Sequence, residues 1–140
     1  MSIDAILKYD LNQLRQNAEK LVSIGRNTNV RFLLAVKVHA HPVLIDLFGG
    51  ILSGFDISNK NEIELLPKNK NDFICSLCGP AFNIYDVNRL LAYEGKSRVI
   101  LQSLRQFDIL ERTNYLLDYG IRLKTNDESR FGIEPNNLEL

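Results

Sequence analysis

Residues 30–36 read Val30-Arg31-Phe32-Leu33-Leu34-Ala35-Val36, and the chain continues Lys37-Val38-His39-Ala40-His41-Pro42. Only Arg31 interrupts an apolar run of strand length, which is the pattern of a parallel strand buried on both faces. Pro42 suits the first turn of a following helix, which carries Val43, Leu44, Leu47 and Phe48 and stops at Gly49-Gly50. Upstream, Asp10 can cap a helix whose Leu11, Leu14, Ala18, Leu21 and Val22 recur at helical spacing. The apolar run therefore lies between two helices, with a lysine at its end.

The same alternation continues outward. Ser53 to Ile57 reads as a second strand, and Asn59 with Glu62 resembles a capping box that opens a helix through Ile63, Leu65 and Leu66, cut short by Pro67. Phe73 to Cys78 is a third strand. Asn83 can cap a helix carrying Val87, Leu90 and Leu91, with Gly95 at its C-cap. Arg98 to Leu101 is a fourth strand, Ser103 with Gln106 another capping box before Phe107, Ile109 and Leu110, and Leu116 to Leu123 a fifth strand. Alternating helices and strands imply right-handed parallel crossovers, hence an α/β fold, read as one domain over residues 1–140. A doubly wound sheet closes at this length, whereas a complete TIM-type barrel needs about 250 residues. Periodicity leaves that choice open.

Composition narrows the function classes. Seventeen basic residues balance seventeen acidic ones, and no stretch clusters Lys and Arg as a nucleic-acid surface would. No apolar run approaches the ~20 residues of a membrane span, and the first residues carry no basic and apolar signal pattern. The expectation is a cytoplasmic protein without nucleic-acid or membrane partners. Cys75 and Cys78 form a C-x-x-C, but on a strand residues three apart point to opposite faces, so two buried, reduced thiols are expected. His39 and His41 lack nearby carboxylates, and no metal site is expected.

The choice of fold turns on motifs. Leu34-Ala35-Val36-Lys37-Val38-His39-Ala40-His41-Pro42 resembles the Ala-Val-Lys-x-Asn-x-x-Pro segment of the ornithine, diaminopimelate and carboxynorspermidine decarboxylases. These are pyridoxal-phosphate enzymes of fold type III with an alanine-racemase-like barrel. Gly54-Phe55-Asp56-Ile57-Ser58-Asn59-Lys60-Asn61-Glu62-Ile63 resembles the family's Gly-Phe-Asp-x-x-Ser-x-x-Glu-Ile/Leu segment. Ile121-Arg122-Leu123-Lys124 and Ser129-Arg130-Phe131-Gly132-Ile133 resemble its Leu-Arg-Ile-Asn and Ser-Arg/Lys-Phe-Gly-Ile segments. Tyr9-Asp10-Leu11 and Cys78-Gly79-Pro80 match further family positions, all in the family's order.

The resemblance implies the first part of a TIM-type barrel, with the later half-barrel and the C-terminal β-domain not represented in these residues. It implies that Lys37 is the catalytic lysine forming a Schiff base with pyridoxal 5'-phosphate, and that Asp56, Arg122 and His39 lie beside the cofactor. Arg122 would pair with Asp56 or hold a hydrogen-bonded place under the ring, and Glu62 and Arg130 would support the site. Where the family has asparagine, this chain has His39. The implied reaction is decarboxylation of a basic or diamino acid, in a homo-oligomer or with a partner chain that completes the barrel. Such a half-barrel would leave an exposed edge and an uncovered apolar face. The alternative is a non-catalytic relative of the same fold, acting as a binding or regulatory module. A third reading is an unrelated open sheet, which would show a strand order such as 2-1-3-4-5. Taken singly, Lys37 would be a snorkelling surface residue, Glu62 a capping residue and Arg122 a core-edge ion pair.

Overall fold

The computed structural model describes residues 7–68, 72–112, 117–125 and 131–137. Helix α1 (Leu11–Thr28) is followed by β1 (Leu34–Ala35), a 3-10 turn (Val36–Val38), α2 (Pro42–Gly49), β2 (Gly54–Ile57), α3 (Lys60–Ile63) and β3 (Ile74–Leu77). Then come α4 (Ile84–Leu91), β4 (Lys96–Leu101), α5 (Arg105–Glu111), β5 (Asp118–Ile121) and a second 3-10 turn (Pro135–Asn137). The strands form one sheet in the order β1-β2-β3-β4-β5, and every pairing is parallel. Each crossover advances one strand in the same direction. That progression builds a barrel wall and lacks the reversal of a doubly wound sheet, so the third reading falls.

Register separates the two faces of the sheet. Phe55, Ile57, Cys75, Leu77, Val99 and Leu101 are fully buried. They pack with Ile45, Ile63, Leu66, Val87 and Leu90 from the helices in one core, each large side chain contributing about 1.5–3 kcal/mol by leaving water. The alternate positions face the other way. Across the five strands, Ala35, Asp56, Ser76, Arg98 and Asp118 stand side by side. The central row of the inner face is thus polar apart from Ala35, while Tyr119, Ile121 and Leu123 at and beyond β5 stay exposed, in keeping with an uncovered apolar face. Gly54 begins β2 at φ +152, and a Cβ there would lie 2.0 Å from the Ile74 carbonyl oxygen. Only glycine lets β2 and β3 approach so closely.

Helix starts are set by side-chain caps. Asp10 Oδ1 accepts the N–H groups of Asn12 and Gln13, each at 3.0 Å. Pro42 opens α2 after His41, whose Nδ1 accepts the Val43 N–H. Buried Asp86 closes a capping box with Asn83, and its second oxygen accepts the Lys60 N–H at 2.8 Å. One carboxylate therefore ties the starts of α3 and α4 together.

Several expectations are corrected. The strand expected over Val30–Val36 shrinks to Leu34–Ala35, because β1 is an edge and its only ladder partner is β2. Lys37 accordingly rides a 3-10 turn and not a strand end. Ser103 and Gln106 form no capping box: α5 starts without a side-chain cap, and the Gln106 side chain bonds the Gln102 N–H and the Gly79 carbonyl instead. Gly95 is not a C-cap. Helix α4 ends at Leu91, and glycine is needed at 95 because a Cβ would come within 2.9 Å of the Phe73 carbonyl oxygen. The fifth strand is Asp118–Ile121, with Leu116 outside the described residues. Cys75 and Cys78 are both free, but Cys78 is only half-buried.

Candidate active site at the C-terminal mouth of the sheet

Parallel strands carry their chemistry where they all end, at the C-terminal edge. Lys37 lies two residues beyond Ala35, the register partner of Asp56, and its side chain is exposed. The flanking Leu34, Ala35, Val36 and Val38 suggest a partly desolvated amine, but in this chain the turn lifts it into solvent.

Asp56 is half-buried and hydrogen-bonded to Ser76, its partner in register on β3. Burial holds its carboxyl above the ordinary carboxylate range. The Lys37 ammonium draws it back, the Glu62 carboxylate pushes it further up, and the Ser76 hydrogen bond lowers it again. Desolvation wins because the carboxyl sits inside the sheet's row while its cationic neighbour stands in water. Lys37 and Asp56 are thus brought within electrostatic reach of one another.

Glu62 fixes the loop that follows β2. Its Oε2 accepts the Ser58 N–H at 2.8 Å and its Oε1 accepts from Asn59 Nδ2 at 3.3 Å, while the Asn59 side chain caps α3. The box is displaced one residue from the expected pattern, because Glu62 satisfies Ser58 and Asp86 satisfies Lys60. Gly79 lies against that loop, where a Cβ would fall 2.5 Å from the Ser58 carbonyl oxygen.

Of the two places expected for Arg122, the ion pair with Asp56 is not formed. Its N–H donates to the Leu101 carbonyl at 2.8 Å, and its guanidinium lies 5.8 Å from the centre of the Phe131 ring. Among the described residues the ion pairs are Glu64–Arg89 and Lys124–Glu134, and none joins Arg122 to Asp56. The two belong to β2 and to the end of β5, three strand spacings apart, or roughly 14 Å along the sheet. His39 receives an edge-on contact from Tyr9, with ring centres 4.7 Å apart, and its imidazole hydrogen-bonds the Tyr9 hydroxyl. Arg130 lies outside the described residues.

Three further side chains border the mouth that sequence reading did not assign to the site. Ser76 could have been found by laying the strands in register. Cys78, set aside as inert, feels the charges of Asp56, Lys37 and Arg122, and burial raises its thiol. Gln102 follows β4, is 7% exposed, and donates from Nε2 to Cys78 Sγ at 3.2 Å. A cleft of about 170 Å³ between α3 and α4, lined by Leu66, Lys68, Arg89 and Tyr93 among others, contains none of these residues.

No family model and no curated protein matches the chain. Among the described residues, no helix is long and apolar enough to cross a membrane. Among solved structures, the chain is similar to a carboxynorspermidine decarboxylase from Campylobacter jejuni, crystallised with norspermidine. The similarity has a TM-score of 0.76 and 25% sequence identity, covering 91% of this chain and 35% of that one. The chain spans about a third of that structure's length, and its fold is that of part of a TIM-type barrel with a decarboxylase as structural neighbour.

Proposed function

We propose that the chain is the N-terminal barrel portion of a pyridoxal-phosphate-dependent decarboxylase for a basic or diamino acid, with Lys37 as its Schiff-base lysine. The observation that carries this reading is the half-buried Asp56 carboxyl within electrostatic reach of Lys37, two residues beyond its register partner Ala35 at the C-terminal mouth, in a chain whose fold is similar to that of a decarboxylase crystallised with norspermidine.

The residues fit the aldehyde end of that cofactor. Lys37 supplies an accessible primary amine and Asp56 a carboxyl beside it, while Cys78, Gln102 and Arg122 border the same mouth. When bound, the cofactor supplies an electron sink for the carbanion left by decarboxylation. The work of this chain is positional. Lys37 Nζ presents the nucleophilic amine. Asp56 balances its charge, and its raised proton affinity lets the carboxyl hold a proton at higher pH than an exposed aspartate. Ser76 and the loop pinned by Glu62 keep that carboxyl oriented. His39, Arg122 and Arg130 are kept as cofactor-side or supporting groups. Beyond β5 the parallel bridge between Leu123 and Ile133 continues the sheet, and a second copy or a partner chain would extend that wall, in a cytoplasmic protein.

Titration with pyridoxal phosphate, followed at the Schiff-base absorbance band, tests this reading. The band should form with the native chain and disappear in Lys37→Ala. A band that survives Lys37→Ala, or never forms, sinks it and favours a non-catalytic module on the same fold.

A further inference from the structure

Among the described residues, one buried side-chain polar atom has no hydrogen-bond partner: Oε1 of Gln102. Its surroundings are otherwise fully committed. The Gln102 N–H donates to Gln106 Oε1 at 2.6 Å, Gln106 Nε2 donates to the Gly79 carbonyl at 2.9 Å, and Gln102 Nε2 donates to Cys78 Sγ at 3.2 Å. Strand alternation sets the side chain on the inner face, since Val99 and Leu101 of the same strand are fully buried in the helix-side core. The pairing of Leu101 with Ile121 carries on to bring Gln102 level with Arg122. On its other side is Cys78, whose thiol senses Lys37, Asp56 and Arg122.

An unpaired carbonyl in this position destabilises the free protein, and a neighbouring network that fixes its carboxamide prevents it from turning away to find a partner. Buried polar atoms of this kind mark a place where a partner arrives. The mouth already offers the Asp56 carboxyl as an acceptor, so the complementary ligand carries N–H donors.

We propose that Gln102 is a ligand-contacting residue of the mouth, its Oε1 accepting a hydrogen bond from an amine group of the bound substrate. The proposal rests on the reading of the mouth as a site for amine-bearing substrates, and adds to it the residue that selects the amine. Apolar replacement at 102 has a distinctive consequence. It removes an unsatisfied oxygen from the free protein and a partner from the complex, so stability and affinity move in opposite directions. A residue of purely structural importance would lower stability and leave ligand affinity tied to it.

The experiment measures thermal unfolding and the affinity for putrescine, a plain diamine, on the native chain, Gln102→Leu and Gln102→Glu. Gln102→Leu is expected to keep or raise Tm and to weaken putrescine binding about tenfold, the loss of one hydrogen bond. Gln102→Glu, which keeps an acceptor, should bind at least as well as the native chain. Equal affinity in Gln102→Leu and the native chain, or no putrescine binding by the native chain, overturns the proposal. If Gln102→Leu fails to fold, weakened binding in Gln102→Glu overturns it on its own. Pyridoxal phosphate titrated in parallel judges the role of Lys37 separately, so failure of the cofactor reading and failure of the Gln102 assignment give different patterns.

Discussion

Asp56 and Ser76 are register partners on adjacent parallel strands, and the carboxyl of the first is hydrogen-bonded to the second. That pairing holds an acid in the inner row of the sheet, two residues below the level of Lys37 on the neighbouring strand. The row Ala35–Asp56–Ser76–Arg98–Asp118 replaces the branched aliphatics that fill most barrel interiors, and it has measurable consequences.

The first concerns pH. Burial raises the Asp56 carboxyl from its ordinary 3.8, so the folded chain holds that proton more tightly than the unfolded one. The associated stability is complete below the ordinary value and is lost as pH rises through the raised folded value. Asp56→Asn should therefore be at least as stable as the native chain at neutral pH. The gain should stay under about 1 kcal/mol once solvent screening of a half-exposed group is allowed for, and it should vanish in acid. Urea unfolding of both forms across the acid range checks this, and a variant weaker at neutral pH than in acid contradicts it.

Asp86 should be the costliest polar residue to remove from the helix layer. Its two oxygens accept the N–H groups of Lys60 and Asn83, 26 and 3 residues away, each at 2.8 Å. Asp86→Ala leaves both donors unsatisfied at the starts of two helices, a loss of about 3 kcal/mol. Glu64→Ala removes an exposed ion pair with Arg89 and should cost far less, because water screens both charges. Chemical denaturation of the two variants side by side gives the comparison, and equal losses would refute it.

These residues also mark how far the sequence could be read. The helix-side core was legible, because Phe55, Ile57, Leu77, Val99 and Leu101 fall in short apolar runs whose burial needs no knowledge of partners. The order of motifs pointed to a barrel, and the sequential sheet agrees with it. The length of β1 was not legible, since a ladder needs a neighbour and residues 30–33 fall outside the paired strand. Asn83 announced a cap, but the second bond of Asp86 reaches a helix far away in sequence. At the mouth, Lys37 and Asp56 were found through their motifs. Of the two places expected for Arg122, the pair with Asp56 overlooked the strand spacing that separates them, and Gln102 was passed over because a glutamine after a strand carries no local signal.

The two thiols should behave differently. Cys75 is fully buried, and desolvation pushes its thiol from 9.0 up to about 12, with the Asp56 charge adding to the effect. Cys78 is raised too, but it is half-buried and stands at the mouth. Since the thiolate is the reactive form, a thiol reagent at mildly alkaline pH should modify one cysteine per native chain, and Cys78→Ser should abolish that reaction. Two equally fast thiols in the native chain, or a disulfide in the purified protein, would rule this out.

The loop that follows Lys37 is anchored from a distance by Tyr9, whose hydroxyl bonds the His39 imidazole and whose ring meets it edge-on. Tyr9 directly precedes Asp10, the cap of α1, so the start of the first helix is coupled to the turn that carries the amine. Both residues are partly exposed, and one hydrogen bond near the surface contributes under about 1 kcal/mol. Tyr9→Phe should therefore leave Tm nearly unchanged. Its effect should be local: without the hydroxyl, the backbone amides of residues 38–41 should exchange with deuterium faster, while those of β2 and β3 keep their protection. His39→Asn, which restores the residue that the decarboxylase pattern has there, should show the same local acceleration because asparagine is too short to meet the Tyr9 hydroxyl. If exchange in residues 38–41 is the same in both variants as in the native chain, Tyr9 does not hold the loop, and Lys37 owes its position to the 3-10 turn alone.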